Sequence, residues 1–110
     1  MVKAIALIKR KPGLSRDEFV KHYEEVHAPL ALRHLPAVER YVRNHITSSL
    51  GSGEPEFDCV TELWFTDMEG YKAMWHFWSS NAGRVIRDNE DSFLDRSKSL
   101  FFLVDEKVSK

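Results

Sequence analysis

A single cysteine, Cys59, occurs in 110 residues. It has no partner for an internal disulfide, and no CxxC redox or metal motif is possible. Charge of one sign is also missing: 16 Lys and Arg stand against 17 Asp and Glu, a net of -1. A nucleic-acid binder ordinarily carries a basic excess or stripe. Lys9-Arg10-Lys11 is only a short cluster at a turn, so no nucleic-acid partner is expected. No apolar run approaches the roughly 20 residues that span a bilayer, and MVKAIALIKRK lacks the length and cleavage pattern of a signal peptide. The expectation is a soluble, cytoplasmic protein without a membrane partner. There is no phosphate-cradling glycine loop, no GxGxxG, no GxSxG elbow and no HExxH. The five histidines include no i, i+4 pair, so neither a metal nor another cofactor is expected.

The chain supplies one core. Hydrophobic residues make up 43% and aromatics 12%, enough for one domain over residues 1–110. Val2 to Ile8 is nearly all apolar and suits a strand buried on both faces. Pro12-Gly13 marks a turn. Ser15-Arg16-Asp17-Glu18 is a capping box that starts a helix. The apolar stripe of that helix is Phe19, Tyr23, Val26 and Leu30. His27 and His34 sit at its edge. Pro29 removes a donor inside it and should kink or loosen the last turns. Pro36 helps to end it.

Val38 to Ser48 reads as a second strand, with Tyr41 and His45 on one face and Asn44 on the other. Ser48 to Pro55 is a flexible loop, and Phe57 to Phe65 a third strand. Thr66 to Glu69 repeats the capping box before a helix whose broad face carries Tyr71, Met74, Trp75, Phe77 and Trp78, with His76 opposite. A short helix around Ala82 to Asn89, a polar stretch from Asp91 to Lys98, and a strand from Ser99 to Val104 or as far as Val108 complete the chain.

The order is β-α-β-β-α-β, an α+β ferredoxin-like arrangement with a four-stranded antiparallel sheet and helices on one face. Ile5 with Ala6, Leu63 with Trp64 and Phe101 with Phe102 place apolar groups on both faces. A second subunit is the economical cover for the open face, which predicts a homodimer.

The segments KRKPGLSRDEF, Tyr23 with VHAPL, YVRNH, ELWF and DSFLDRSKSLFF lie in one order along nearly the whole chain. In that combination the chain resembles the EthD-like proteins of the dimeric α/β-barrel superfamily. The resemblance implies a barrel of two ferredoxin-like subunits and a hydrophobic pocket between the sheet and the first helix. Similar proteins include polyketide cyclases, decarboxylases, dehydratases, a lactone isomerase, and heme-dependent or cofactor-free monooxygenases, so fold alone does not fix function.

His27 is the leading candidate. It follows Tyr23 by four residues, which puts both on one side of a helix, and a partly shielded histidine titrating near neutral pH serves as a general acid or base. In the related lactone isomerase the corresponding helix supplies a histidine and a tyrosine to the pocket. The alternative is a structural histidine bonding a carbonyl freed by Pro29. Tyr41 is a candidate donor to a developing oxyanion, with Tyr23, and His45 a second proton carrier. Phe19, Leu30 and Trp64 are candidate substrate walls. Glu62 is a binding candidate or a strand-pair partner of Arg40 or Arg43, and Asp95 an orienting carboxylate or a cap.

The reading is a cofactor-free lyase or isomerase (decarboxylation, dehydration, cyclisation or lactone rearrangement) acting on a hydrophobic ring or polyketide-like compound. Two alternatives remain open: a carrier of a hydrophobic small molecule that assists an oxygenase, and a cofactor-free aromatic monooxygenase.

Overall fold

The computed structural model describes residues 1–51 and 53–110. Ser52, within the loop expected over Ser48 to Pro55, lies outside the described residues. Four strands, β1 (Val2–Ile8), β2 (Val38–His45), β3 (Cys59–Phe65) and β4 (Leu100–Val104), form one antiparallel sheet in the order β2-β3-β1-β4. This is the ferredoxin-like order, with the two central strands donated by the two halves of the chain.

The register sorts the side chains onto two faces. Ala4, Ala6 and Ile8 of β1 and Cys59, Thr61, Leu63 and Phe65 of β3 are buried under the helices. Tyr41 pairs with Leu63, Arg43 with Thr61 and His45 with Cys59, so these three also face the helices. Residues of the opposite parity, among them Ile5, Glu62, Trp64 and Phe102, lie on the uncovered face. A bulge between Val38 and Arg40 breaks the simple alternation expected for β2. It turns Val38 to the helix side while Arg40 goes to the open side. The strand ends at His45 rather than Ser48, and β4 ends at Val104, the nearer of the two ends expected.

The first helical segment opens where the capping box places it. Ser15 Oγ accepts from the Glu18 amide, and Glu18 Oε1 accepts from the Ser15 amide. Just before it, Gly13 takes φ 88° between Pro12 and Leu14, and the Leu14 amide donates to Lys11 O. A type II turn needs a glycine in that left-handed position.

The helix does not continue as a single α-helix. α1 (Arg16–His22) passes into a π turn, Tyr23–His27, and then into α2 (Ala28–His34). Pro29 gives the reason. In an α-helix its ring would collide with the carbonyl of Glu25, four residues back. The chain widens instead, and the Ala28 amide donates to Tyr23 O, five residues back. The extra residue rotates everything after it. The inward positions become Phe19, Tyr23, His27, Ala28 and Ala31. Val26, expected in the stripe, is 45% exposed, and Leu30 is only partly buried.

α3 (Met68–Ser79) starts one residue later than expected. Asp67 is its cap and accepts from the Gly70 amide, while Thr66 donates to Glu39. α4 (Arg84–Phe93) reaches further than the short helix expected, into the polar stretch. Gly83 at its start touches the carbonyl oxygens of Phe77 and Trp78 so closely that a Cβ there would lie 2.1 Å from Phe77 O. Only glycine allows α4 to cross α3 at that point.

Phe93 is the keystone of the core beside the π turn. It is fully buried, with its ring 4.8 Å from His27, 5.2 Å from Tyr23 and 5.5 Å from Phe19 between centroids. Phe93→Ala should destabilise the fold by about 3–5 kcal/mol, the usual cost of emptying an aromatic core site. Urea unfolding measures this, and a loss under about 1 kcal/mol would mean that the neighbouring rings close the gap.

Candidate active site

A cavity of about 100 Å³ lies between the helix-facing side of the sheet and the helices. Its walls are mostly apolar: Ala6, Ile8, Leu35, Leu63, Met74, Trp75, Ile86 and Phe101 contribute. Four polar side chains break that lining, namely His27 from the π turn, Tyr41 from β2, Thr61 from β3 and Glu90 from α4. Tyr23 also reaches it, as does Trp78.

His27 is placed by the wide turn and oriented by Asn89. Asn89 Oδ1 lies 2.9 Å from His27 Nδ1 and 3.1 Å from His22 Nε2. A carbonyl oxygen only accepts, so both ring nitrogens donate to it. Neutral His27 therefore carries its proton on Nδ1 and presents a bare Nε2. Burial lowers the imidazole to about 4, with a further push from His22 and an opposing pull from Asn89. The near-neutral titration expected for His27 is thus not what its surroundings give: at pH 7 it is an acceptor, not a charged acid.

The hydroxyls form a chain. Tyr41 donates to Tyr23 at 3.1 Å, and the Tyr23 oxygen lies 2.7 Å from Thr61 Oγ1. Thr61 Oγ1 in turn lies 3.5 Å from Cys59 Sγ. Burial raises both tyrosines above the ordinary phenol range, so they stay protonated. Because the Tyr41 hydrogen points to Tyr23, the expected donation from Tyr41 into the pocket is replaced by an oxygen lone pair.

Glu90 was missed from the sequence, where it looked like one polar residue in a helix end. Its Oε1 accepts from Trp78 Nε1 at 3.1 Å and from Arg96 at 3.4 Å. Among the described residues no hydrogen bond reaches Oε2. Burial pushes the carboxyl up to about 6 despite these donors. A carboxyl poised near neutrality in a cleft has the range that acid–base chemistry uses. Its only sequence signal was its spacing of four from Ile86, which puts both on one side of a helix.

The other expected site residues lie elsewhere. Phe19 is in the core behind Tyr23, not on the cavity wall. Leu30 was turned off the cavity by the π turn. His45 donates to Glu24 at 2.7 Å, beside the Arg43–Glu24 pair at 2.6 Å. Hydrogen bonding to Arg43 chiefly holds Glu24 at about 2, so His45 is tied into an ion-pair cluster away from the cavity. Glu62 and Trp64 occupy the open sheet face. Glu62 bonds Lys3 at 2.8 Å and accepts from Asn44, rather than pairing with Arg40 or Arg43. Lys3 and Arg40 lie over the Trp64 ring at 4.5 and 4.7 Å. Asp95 caps a 3₁₀ turn at Arg96–Lys98. Among the described residues no group of three His, Cys, Asp or Glu is arranged to hold a metal.

The His27 environment has a consequence for stability. Its ordinary value is 6.5 and its folded value about 4. Between them the unfolded chain binds more protons, so this stability is complete above 6.5 and is lost as pH falls through 4. Glu90 works oppositely, its contribution present below 4.5 and lost as pH rises through 6. Wild type should lose roughly 2–3 kcal/mol more than His27→Gln between pH 7 and pH 4, following the size of the shift. Urea midpoints at both pH values test this; parallel losses in the two proteins would contradict it.

Comparisons place the architecture among known proteins. An ethyl tert-butyl ether D (EthD) family protein from Bacillus halodurans superposes with TM-score 0.71 and 20% identity, covering 97% of this chain and 100% of that one. A dimeric ferredoxin-like protein of unknown function from Bacteroides fragilis gives TM-score 0.63 at 8% identity, covering 96% and 95%. SnoaB, a cofactor-independent oxygenase from Streptomyces nogalater, gives 0.60 at 11% identity, covering 98% and 94%. At these identities the likeness is one of fold. The EthD domain profile matches residues 11–97, which span α1 through α4 and the four polar side chains of the cavity lining, and the chain belongs to the EthD family.

Proposed function

We propose that the protein is a cofactor-independent enzyme that moves a proton on a small hydrophobic ring compound held in this cavity, in a lyase- or isomerase-type reaction. The observation that carries this reading is one apolar wall containing both a carboxyl with a free oxygen and an imidazole with a bare nitrogen. Glu90, as carboxylate, takes a proton from an acidic position of the substrate onto Oε2. Oε1 remains held by Trp78 and Arg96 throughout. The substrate is left as an electron-rich anion. Return of the proton at another atom is an isomerisation; loss of a leaving group from the anion is a lyase reaction. Neutral His27 and Tyr41 hold the substrate's polar edge. The role first given to His27 passes to Glu90 because burial moves the two groups in opposite directions, and only the carboxyl ends near neutrality.

Oxygenation is the second reading. It shares the first step, since the same anion reacts with dioxygen, and it is favoured by the shared fold with SnoaB. A carrier would need the cavity alone.

Incubation with a panel of hydroxylated and keto ring compounds in D₂O separates these readings. Deuterium incorporation or rearrangement followed by NMR supports proton transfer, and Glu90→Gln should lower it by about 100-fold or more. Consumption of dissolved oxygen with the same compounds supports the oxygenase. Binding without either change supports the carrier and sinks the enzyme.

The homodimer expected from the sequence is proposed through the open sheet face, where Leu100 is 53% and Phe102 40% exposed. The dimeric state of the Bacteroides fragilis protein supports it. Sedimentation equilibrium should show a dimer for wild type and a folded monomer for Phe102→Glu, whereas a monomeric wild type would remove the proposal.

A further inference from the structure

Where each hydrogen of the polar wall goes decides what the cavity can hold. His27 spends its Nδ1 hydrogen on Asn89. Tyr41 spends its hydroxyl hydrogen on Tyr23. The Tyr23 oxygen lies 2.7 Å from Thr61 Oγ1, which lies 3.5 Å from Cys59 Sγ, so these three groups are bonded among themselves. Trp78 spends its Nε1 hydrogen on Glu90 Oε1. Among the described residues, these cavity-lining side chains keep a set of acceptors that no protein hydrogen reaches: His27 Nε2, the Tyr41 oxygen and Glu90 Oε2. They come from three different elements, the π turn, β2 and α4. Among the described residues, the lining side chain with an uncommitted N–H is Trp75.

We propose that this site takes ring compounds bearing more than one hydroxyl group and rejects the same ring bearing a carboxylate or only ether oxygens. The proposal rests on the cavity being the substrate site of the proposed reaction. Each of these acceptors can take a hydrogen from a ligand, so a ligand is favoured by each hydrogen it brings to them. A hydroxyl brings one. An ether oxygen brings none and leaves the wall unpaired. A carboxylate brings none and adds a negative charge beside Glu90 in a poorly solvated space, where like charges repel strongly. The size of the cavity, about 100 Å³, suits a single ring. Acidic hydroxyls are also the groups from which a carboxylate such as Glu90 removes a proton most directly: the O–H bond breaks, its electron pair stays on the ring oxygen, and the proton passes to Oε2.

Three probes that share one ring test this: resorcinol, 1,3-dimethoxybenzene and benzoate. Each is titrated into the protein at pH 7.5 and followed by the ring resonances of His27 and by calorimetry. Resorcinol should bind at least ten-fold more tightly than the dimethyl ether, with shifts confined to the cavity residues, and benzoate should not bind there. In Glu90→Gln the amide supplies a donor and removes the charge, so the preference for the diol over the ether should shrink and benzoate should gain. The ether or benzoate binding wild type as tightly as resorcinol would overturn the proposal, as would the absence of resorcinol from the cavity at millimolar concentration. Equal preferences in wild type and Glu90→Gln would also overturn it. Diol-selective binding without deuterium exchange or turnover in the D₂O panel would leave this specificity standing while the enzymatic reading fails.

Discussion

The site depends on one residue too many in the first helix. Pro29 cannot follow an α-helical Glu25, and the Tyr23–His27 stretch opens into a π turn to admit it. In an α-helix, inward positions recur after three or four residues, which would bury Val26 and Leu30. The added residue advances the helix by about a third of a turn, and His27 takes the place that Val26 would have held. The same widening makes residues five apart neighbours, so His22 and His27 reach one Asn89 oxygen. A proline that would be a defect elsewhere is thus what carries an imidazole into the pocket. Single π turns inside α-helices are rare and are frequently found at functional sites.

The second constraint is burial acting on two groups of opposite charge type. Removing water disfavours whichever form is charged. For His27 that is the imidazolium, and the ring is driven to about 4; for Glu90 it is the carboxylate, and the carboxyl rises to about 6. One cavity therefore produces a neutral histidine and a titratable carboxyl without any ion pair between them. Outside the cavity the balance reverses. Glu24 lies against Arg43 and His45 and is held at about 2, fixed as a structural anion that braces β2 against the π turn. His45 belongs to that brace, which is why a histidine on the helix-facing side of β2 still does not reach the pocket.

The architecture was legible because each element announced itself locally. A capping box, a Pro-Gly turn and all-apolar strands gave the order and the open sheet face. The position of the pocket came from the resemblance to the EthD-like proteins. The polar wall was harder to see. Reading the first helix with α-helical spacing placed His27 only at the edge of the stripe, and ranking it first rested on its spacing of four from Tyr23, on imidazole chemistry and on the resemblance. A strand read with strict alternation put Val38 on the wrong face, since a bulge leaves no mark in a residue pattern. Glu62 and Trp64 were proposed for the pocket as one face of the third strand, but the parity of that strand puts that face on the open side. Glu90 was invisible for another reason. A glutamate in a polar helix end looks solvated, and its burial depends on Trp78 and Arg96, which the fold brings to it.

Hydrogen-bond direction is the last level, and it is the one that shapes the function. Residue types alone made Tyr41 a donor and His27 a proton carrier. The folded chain passes the Tyr41 hydrogen inward through Tyr23 and passes the His27 hydrogen to Asn89. Both residues face the cavity with lone pairs, beside a carboxylate oxygen that has no donor of its own. Such a wall accepts hydrogens that its own residues do not supply. Completion must come from what enters, so the vacancy in the hydrogen-bond network has the shape of a substrate's hydroxyl groups. The apolar remainder of the lining supplies affinity without direction. The three acceptors supply direction, and of the three only Glu90 can both receive a proton near neutral pH and give it back.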